Sequence, residues 1–362
     1  MEKRIHIFNA GPAALPPEVL LEAKEHFFNF HGEGLSLMEM SHRGKTYDGV
    51  HYEAMNLMKE VMHLPDNYKV MFMQGGASLQ FAALLFNLAK PGQLIQYVDT
   101  GAWSTKAIAE AEKLGYNAQI VASSKEADFT HIPAISEMKA SPEAAFFHIT
   151  SNNTIRGTEY QEFPKTGDIP LVVDMSSDIN ARDIDHSQFD VIYGGAQKNM
   201  GPSGVTIVII KDELLERSPK NIPTLMNYNI LAGKDSLYNT PPTFGIYLIG
   251  LVLKWIKSNG GLKGIEELNR KKAELLYGTI DGTDFYRGTA DKDYRSLMNV
   301  TFRLPSEDLE KRFISEAADK DLMGLKGHRS VGGCRASIYN ACSFADVTAL
   351  TDFMTEFERK NG

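Results

Sequence analysis

A lysine lies in a short glycine-rich turn between two apolar segments. The turn runs from Gly194-Gly195-Ala196-Gln197-Lys198 to Gly201-Pro202-Ser203-Gly204, and the apolar segments cover residues 189–193 and 205–210. Lysine is seldom fully buried without a partner, and α/β folds bind their ligands at the rim of the sheet. A desolvated lysine at such a rim loses its proton and reacts with a carbonyl to form a Schiff base. A surface lysine in a hairpin turn fits the same spacing, so the turn by itself leaves both interpretations open.

A carboxylate and a pair of glycines follow two other apolar segments. Asp174 ends Leu171-Val172-Val173-Asp174, and Gln74-Gly75-Gly76-Ala77-Ser78-Leu79 joins a predicted strand to a predicted helix. Beside a pyridine ring, such an aspartate keeps the ring nitrogen protonated and makes the ring an electron sink. The glycines let the backbone approach an anion at the start of the helix, with Ser78 as a hydroxyl donor. An ordinary helix N-cap at Asp174 and an ordinary capped turn at the glycines are the alternatives.

The elements that must position these groups are short apolar strands that alternate with helices. Apolar strands separated by helices are typical of a parallel or mixed sheet that is covered on both faces. The predicted strands cover residues 68–73, 93–98, 144–149, 170–174, 189–193 and 205–210, and the predicted helices between them cover 78–88 and 105–114.

The pattern changes after residue 210, which indicates a second, smaller domain. A long helix is predicted over 244–258, Gly260-Gly261 interrupts it, and amphipathic helices follow with two weak strands at 298–302 and 335–339. We therefore predict an N-terminal arm over residues 1–15, a large domain over 16–258 and a small α/β C-terminal domain over 259–362.

Composition excludes several classes of function. The 362 residues carry 38 basic and 46 acidic side chains, a net charge of −8, which argues against general nucleic-acid binding. The two cysteines, Cys334 and Cys342, fit neither a zinc pair nor a disulfide framework. We find no signal peptide, no apolar run long enough for a membrane span, no metal-ligand motif and no nucleophile elbow. These observations predict a cytoplasmic protein without a metal.

Taken together and in this order, the motifs resemble those of the fold-type I enzymes that use pyridoxal 5′-phosphate (PLP). Within their class-V aminotransferase branch, the closer resemblance is to the phosphoserine aminotransferase family, and it covers essentially the whole chain. The segments that carry it are Phe8-Asn9-Ala10-Gly11-Pro12-Ala13, Met40-Ser41-His42-Arg43, Asp99-Thr100-Gly101-Ala102-Trp103-Ser104, Thr150-Ser151-Asn152-Asn153-Thr154-Ile155, Ala196-Gln197-Lys198-Asn199-Met200-Gly201-Pro202, Tyr238-Asn239-Thr240-Pro241-Pro242 and Gly327-His328-Arg329-Ser330-Val331-Gly332-Gly333-Cys334-Arg335-Ala336-Ser337.

The resemblance implies a role for each matching position. Lys198 would hold PLP as a Schiff base and then move a proton, while Asp174 would pair with the pyridine nitrogen. Trp103 would stack on the cofactor ring, and Thr154 would bond its phenolic oxygen. The cofactor phosphate would be bound by Ala77, Ser78 and Gln197, with further contacts from Asn239 and Thr240 of the neighbouring subunit. Arg335 would bind the substrate α-carboxylate, and the distal anion would be bound by His42, Arg43, His328 and Arg329.

The resemblance also implies a fold, an assembly and a reaction. The large domain would hold a mostly parallel seven-stranded sheet between helices, and two chains would form a homodimer with the active site at the interface. The small-molecule substrates would be L-glutamate and 3-phosphohydroxypyruvate, which give 2-oxoglutarate and O-phospho-L-serine in serine biosynthesis. In pyridoxine biosynthesis, 4-phosphohydroxy-L-threonine would be a related substrate.

Two departures and three alternatives accompany this interpretation. Ala77 stands where some members carry an anion-binding arginine, and Asn9 stands where others carry serine. A serine/alanine–glyoxylate aminotransferase would have little use for the two His-Arg pairs, and a cysteine desulfurase would need a mobile reactive cysteine. A non-catalytic phosphate-binding α/β protein would give Lys198 no special role.

Overall fold

The computed structural model describes residues 4–362, which form fourteen strands and ten α-helices. Strands β1 to β14 are His6–Ile7, Tyr68–Met73, Leu94–Asp99, Asn117–Ser123, Phe147–Thr150, Asn152–Asn153, Thr158–Glu159, Leu171–Asp174, Val191–Gly195, Thr206–Lys211, Arg287–Gly288, Asn299–Arg303, Leu322–Met323 and Cys334–Ser337. Helices α1 to α10 are Pro17–Glu25, Lys45–Val61, Gly76–Leu88, Ala102–Lys113, Asp212–Leu215, Tyr228–Ala232, Thr243–Ser258, Gly261–Asp281, Glu307–Asp319 and Phe344–Asn361.

A seven-stranded sheet forms the centre of the fold, in the order β2-β10-β9-β8-β5-β3-β4. Only β10 runs against its neighbours, and the other pairs are parallel. The prediction of a mostly parallel seven-stranded sheet is confirmed. Each strand predicted for this sheet is present within a few residues, but β4 was missed. It is an edge strand in which most side chains are at least partly exposed, so its sequence lacks the apolar run that marked the others.

Both faces of this sheet are covered, which explains why its strands are apolar throughout. Along β10, Ile207 and Ile209 pack toward α2 and α7 on one face, whereas Val208 and Ile210 pack toward α3 and α4 on the other. Because successive side chains of a strand point to opposite faces, two buried faces require an unbroken apolar sequence.

The C-terminal part of the chain builds a separate apolar core. Strands β11, β12 and β14 form an antiparallel sheet, and helices α8, α9 and α10 contribute to the core around it. The N-terminal arm joins this part, because β1 pairs in parallel with β13. Helix α7 ends at Ser258 and α8 begins at Gly261, close to the predicted domain limit, which stays a prediction. In residues 4–362 no helix is long and apolar enough to cross a membrane.

A buried lysine ties α8 to the segment that follows β14. Lys272 has no exposed surface, and its Nζ donates hydrogen bonds to the carbonyl oxygens of Ile338, Tyr339 and Cys342 at 3.0, 2.8 and 2.9 Å. Burial lowers the pKa of Lys272 to about 8. Three carbonyl acceptors offset part of the cost of burying the ammonium group.

We predict that Lys272→Met lowers the free energy of unfolding by about 2–3 kcal/mol, because three buried carbonyls lose their donor. Lys271→Met is the matched control, since Lys271 is exposed on the same helix and should change stability by less than about 0.5 kcal/mol. Denaturant titration of both variants measures the difference. Equal stability of the two variants would show that the Lys272 hydrogen bonds are unimportant.

Candidate active site

A cavity of about 130 Å³ opens where the central strands end. Asp174 ends β8, Thr150 ends β5, and Lys198 follows β9 by three residues. The carboxyl ends of parallel strands meet at one edge of a sheet, which is where open α/β sheets bind ligands. The cavity is lined by Gly76, Ala77, Ser78, Phe81, Trp103, Thr150, Asn152, Thr154, Asp174, Ser176, Ser177, Gln197 and Lys198.

Lys198 is a buried amine that loses its proton more readily than an exposed lysine does. Its side chain is 9% exposed, and its Nζ donates a hydrogen bond to Thr154 Oγ1 at 2.9 Å. Burial lowers the pKa of Lys198 to about 8, although the Asp174 charge acts in the opposite direction. A surface lysine in a hairpin turn would have an ordinary pKa, so the structure favours the reactive-amine interpretation.

The N-terminal arm explains how this lysine is shielded from water. The Ala13 N–H donates to the Gln197 carbonyl at 2.9 Å, which places the arm against the lysine turn. Gly11 has a φ of +133°, and a Cβ there would lie 3.3 Å from Lys198 Cγ. Glycine is therefore required at this close approach.

Asp174 is buried opposite the lysine and is held by its own loop. Its Oδ1 accepts hydrogen bonds from the N–H and the hydroxyl of Ser176, at 2.9 and 2.5 Å. Burial raises the pKa of Asp174, while the Ser176 hydrogen bonds and the Lys198 charge lower it. A buried carboxylate of this kind is stabilised by a cationic partner such as a protonated ring nitrogen. Sequence reasoning missed Ser176, although its place two residues after an aspartate is the signature of an Asx turn.

The glycine pair forms an anion cradle. Gly75 adopts φ +93°, and a Cβ there would clash with Leu79 at 2.4 Å. Helix α3 begins at Gly76, and no side chain in residues 4–362 caps its N-terminus. The free N–H groups and the helix dipole therefore face the cavity beside Ala77, Ser78 and Gln197.

Several buried polar atoms around the cavity lack partners within residues 4–362. They include Trp103 Nε1, Thr150 Oγ1 and Asn152 Oδ1. Buried polar groups are normally hydrogen-bonded, so this cluster indicates a ligand with polar atoms of its own. An uncapped helix, a buried amine and a buried carboxylate around one cavity fit a small anionic ligand that carries a carbonyl and a basic nitrogen.

Two of the predicted anion-binding residues border a neighbouring cavity of about 360 Å³. Arg335 lies on β14, its Nη1 donates to the Thr154 carbonyl at 3.1 Å, and its buried Nε has no partner within residues 4–362. His328 Nδ1 lies 2.7 Å from the Ser330 hydroxyl. Partial burial, followed by the charges of Arg335 and Arg329, lowers the pKa of His328. Arg335 thus brings a cationic group to Thr154, and His328 borders the same cavity as Arg335.

Four further residues that were predicted to bind anions lie together elsewhere, namely His42, Arg43, Asn239 and Thr240. The Thr240 hydroxyl is 3.3 Å from His42 Nδ1, and Arg43 and Asn239 are adjacent in sequence. None of these four residues is among the described residues that line the Lys198 cavity. Within one chain, the structure therefore does not bring them to the buried amine.

The two cysteines are unsuited to nucleophilic chemistry. Both are buried, and burial raises the pKa of each thiol, that of Cys342 to about 12. A catalytic cysteine needs an accessible thiolate, so the desulfurase alternative has no support here.

Comparison with known proteins identifies the family. The model of the class-V aminotransferase family matches residues 5–350. A phosphoserine aminotransferase of Desulfatibacillum aliphaticivorans is 56% identical, with 100% of both chains covered. The solved structure of phosphoserine aminotransferase from Bacillus circulans subsp. alkalophilus is 50% identical, with 99% of each chain covered and a TM-score of 0.97. That of PLP-bound phosphoserine aminotransferase from Trichomonas vaginalis is 38% identical, with 97% of this chain and 100% of that chain covered and a TM-score of 0.92. The chain therefore belongs to the class-V aminotransferases and, within them, to the phosphoserine aminotransferase family.

Proposed function

We propose that this chain binds PLP around Lys198 and transfers the amino group of L-glutamate to 3-phosphohydroxypyruvate, giving 2-oxoglutarate and O-phospho-L-serine. The observation that carries the proposal is the pair of buried, oppositely charged groups, Lys198 and Asp174, in one cavity with an uncapped helix N-terminus. The relatives with this name, matched over the full length, support the same reaction. The role would lie in serine biosynthesis in the cytoplasm, and use of 4-phosphohydroxy-L-threonine would extend it to pyridoxine biosynthesis.

The residues around the cavity fit PLP group by group. Bound PLP supplies a carbonyl that reacts with amines and a ring that withdraws electrons from the substrate. Asp174 would hold the ring nitrogen, Trp103 would cover the ring, and Thr154 would bond the phenolic oxygen. The N–H groups at Ala77 and Ser78, with Gln197, would hold the phosphate.

Lys198 would perform the proton transfer. With a pKa of about 8, a substantial fraction of its amine is neutral near physiological pH. The free Nζ would take the proton from the substrate Cα and then deliver it to the carbon of the PLP carbonyl group. A base held beside the reacting bond avoids the entropic cost of a collision with an external base.

The polar groups around this second cavity would select the substrate. The guanidinium group of Arg335 suits bidentate binding of the α-carboxylate, and its unpartnered Nε supports that role. His328 and Arg329 would bind the distal anion, which is the phosphate of phosphoserine or the side-chain carboxylate of glutamate. A pocket of positive charge in a protein of net charge −8 would also steer dianionic substrates.

A homodimer would complete the site. Apolar side chains near the N-terminus are exposed, among them Leu21, Phe27 and, at 87% exposure, Phe28. Exposed Met38 and Tyr238 flank the group formed by His42, Arg43, Asn239 and Thr240. Exposed apolar patches mark interaction surfaces, and a two-fold axis would present the same patch from both chains. We propose that this four-residue group reaches the cavity of the partner subunit, and the unpartnered His42 Nε2 supports that arrangement.

The visible absorbance spectrum of the PLP-loaded protein tests the proposed function. We expect a band from PLP attached to Lys198 that O-phospho-L-serine bleaches and L-alanine does not, because only the former carries a distal anion. The Lys198→Ala variant should not show this bleaching by O-phospho-L-serine. Bleaching by both amino acids would contradict the role of the anion-binding residues, and the lack of any such band with excess PLP would contradict the role of Lys198.

The pH dependence of PLP attachment tests the state of the lysine. The neutral amine is the nucleophile, so the rate at which the apoprotein gains the visible band should rise with pH and level off above the pKa of Lys198, about 8. Stopped-flow absorbance across pH 6–10 measures this profile. A midpoint near the ordinary lysine value of about 10.4 would mean that the site does not desolvate the amine.

Mixing two inactive variants tests the shared site. Lys198→Ala and Arg43→Ala chains are denatured together and refolded as dimers. If Arg43 acts on the partner's site, each mixed dimer keeps one intact site, so activity should recover to about a quarter of the wild-type value. Lys198→Ala mixed with Arg335→Ala is the control, because both groups serve the same chain and no recovery is expected. Failure of the first mixture to recover would place Arg43 on its own chain's site.

A further inference from the structure

Two buried polar side chains that the proposed mechanism does not use lie on the same face of the sheet as Asp174. Tyr193 on β9 is in register with Asp174 on β8, and His148 on β5 is in register with Val172 on β8. Register partners in adjacent strands share a face, as do residues two apart in one strand, so these side chains point to the same side of the sheet. Tyr193 is 0% exposed and His148 is 1% exposed.

Each buried N–H or O–H needs an acceptor, and this requirement determines which atom donates between His148 and Tyr193. His148 Nε2 lies 2.9 Å from the Tyr193 hydroxyl oxygen, and His148 Nδ1 has no partner within residues 4–362. A proton on Nδ1 would leave a buried donor unsatisfied, which is costly. The proton therefore lies on Nε2, and the Tyr193 oxygen accepts from it. The Tyr193 proton is then free to be donated elsewhere.

We assign that proton to the Asp174 carboxylate, because Asp174 is the register partner of Tyr193 on the same face of the sheet. The Tyr193 hydroxyl interacts with Asp174, and this contact lowers the pKa of Asp174 against the opposite effect of burial. Burial, followed by the Asp174 charge, raises the pKa of Tyr193 well above its ordinary value, so the hydroxyl keeps its proton. Burial lowers the pKa of His148 to about 3, so the imidazole is neutral and acts as a donor without a charge.

We propose that Tyr193, oriented by His148, is a positioning residue that donates a hydrogen bond to Asp174 and holds its carboxylate ionised toward the cofactor ring. The inference rests on the proposed function, because it assumes that Asp174 pairs with the pyridine nitrogen of PLP. The direct donors, Ser176 and Tyr193, would then approach the carboxylate from its own loop and from the neighbouring strand, while His148 acts only through Tyr193.

The affinity of the apoprotein for PLP tests this proposal. Trp103 lines the cavity, so quenching of tryptophan fluorescence reports binding. Tyr193→Phe should raise the dissociation constant roughly 10-fold, the effect of one hydrogen bond to a charged group. Tyr97→Phe is the matched control, because Tyr97 is buried in the same apolar cluster and its ring centroid is 5.3 Å from that of His148. It should change the dissociation constant less than about two-fold.

A second measurement separates the proposed role from a merely structural one. With PLP labelled by ¹⁵N in the ring, the nitrogen chemical shift reports whether the ring nitrogen is protonated. Tyr193→Phe should move this shift toward the unprotonated value, and Tyr97→Phe should leave it unchanged. Equal shifts in the two variants would overturn the proposal, whatever their stabilities.

The role of His148 is tested by a double-mutant cycle. His148→Leu removes the donor to Tyr193 and should weaken PLP binding about three-fold in the wild-type background, but not further when Tyr193→Phe is present. His148→Gln keeps an N–H donor and should bind PLP nearly as the wild type does. An equal effect of His148→Leu in both backgrounds would show that the histidine acts by packing alone.

Asp174→Ala distinguishes failure of this inference from failure of the proposed function. If Asp174→Ala binds PLP as tightly as the wild type, the assignment of Asp174 to the ring nitrogen is wrong, and the proposed role of Tyr193 is then wrong as well. If Asp174→Ala loses PLP while Tyr193→Phe behaves like Tyr97→Phe, the proposed function stands and only the role of Tyr193 is overturned.

Discussion

The burial of two opposite charges at one edge of the sheet is the constraint on which the site depends. Burial shifts the pKa of Lys198 down and that of Asp174 up, so both groups are pushed toward their neutral forms. For the lysine this shift is useful, since a neutral amine is a nucleophile and a base. For the aspartate it works against the proposed role, because only the carboxylate can stabilise a protonated ring nitrogen. At Asp174 the hydrogen bonds from Ser176 and the contact with Tyr193 oppose the effect of burial, whereas at Lys198 the opposing effect is the charge of Asp174. The same desolvation can therefore serve two different chemical ends.

The site also depends on how the C-terminal part of the chain meets the large sheet. Asn152, which lies on β6 two residues after β5 ends, donates to Asn299 on β12, and Asn299 in turn donates to the Tyr339 hydroxyl at 3.2 Å. Tyr339 donates to the Ala10 carbonyl of the N-terminal arm. This continuous buried network joins three distant parts of the sequence directly beside the cavity. Asn299 also donates to the Ser337 hydroxyl at 2.9 Å, and Ser337 lies on β14, the strand that carries Arg335.

The residues predicted to bind anions are divided between two places on one chain. Arg335 and His328 border the cavity next to Thr154, whereas His42 and Thr240 contact one another beside exposed apolar side chains. A single chain therefore offers an anion only part of the predicted binding set. In the proposed homodimer the second part would come from the partner subunit, which would couple assembly to substrate binding.

The sequence by itself determined much of the fold and of the candidate site. The unbroken apolar segments at 171–174 and 205–210 predicted a covered sheet. The family was predicted by the resemblance of seven separated motifs in one order, whereas the features around Lys198 and Asp174 each had an ordinary alternative when taken alone. The edge strand β4 was missed because a half-exposed strand has no distinctive pattern. Only the tertiary structure decided the rest. It placed Gly11 against Lys198, Tyr193 next to Asp174 and His148 in contact with Tyr193, and it kept His42 away from its own chain's cavity. Contacts of this kind join residues that are far apart in sequence, and they follow from strand register and packing, which no local pattern of residues encodes.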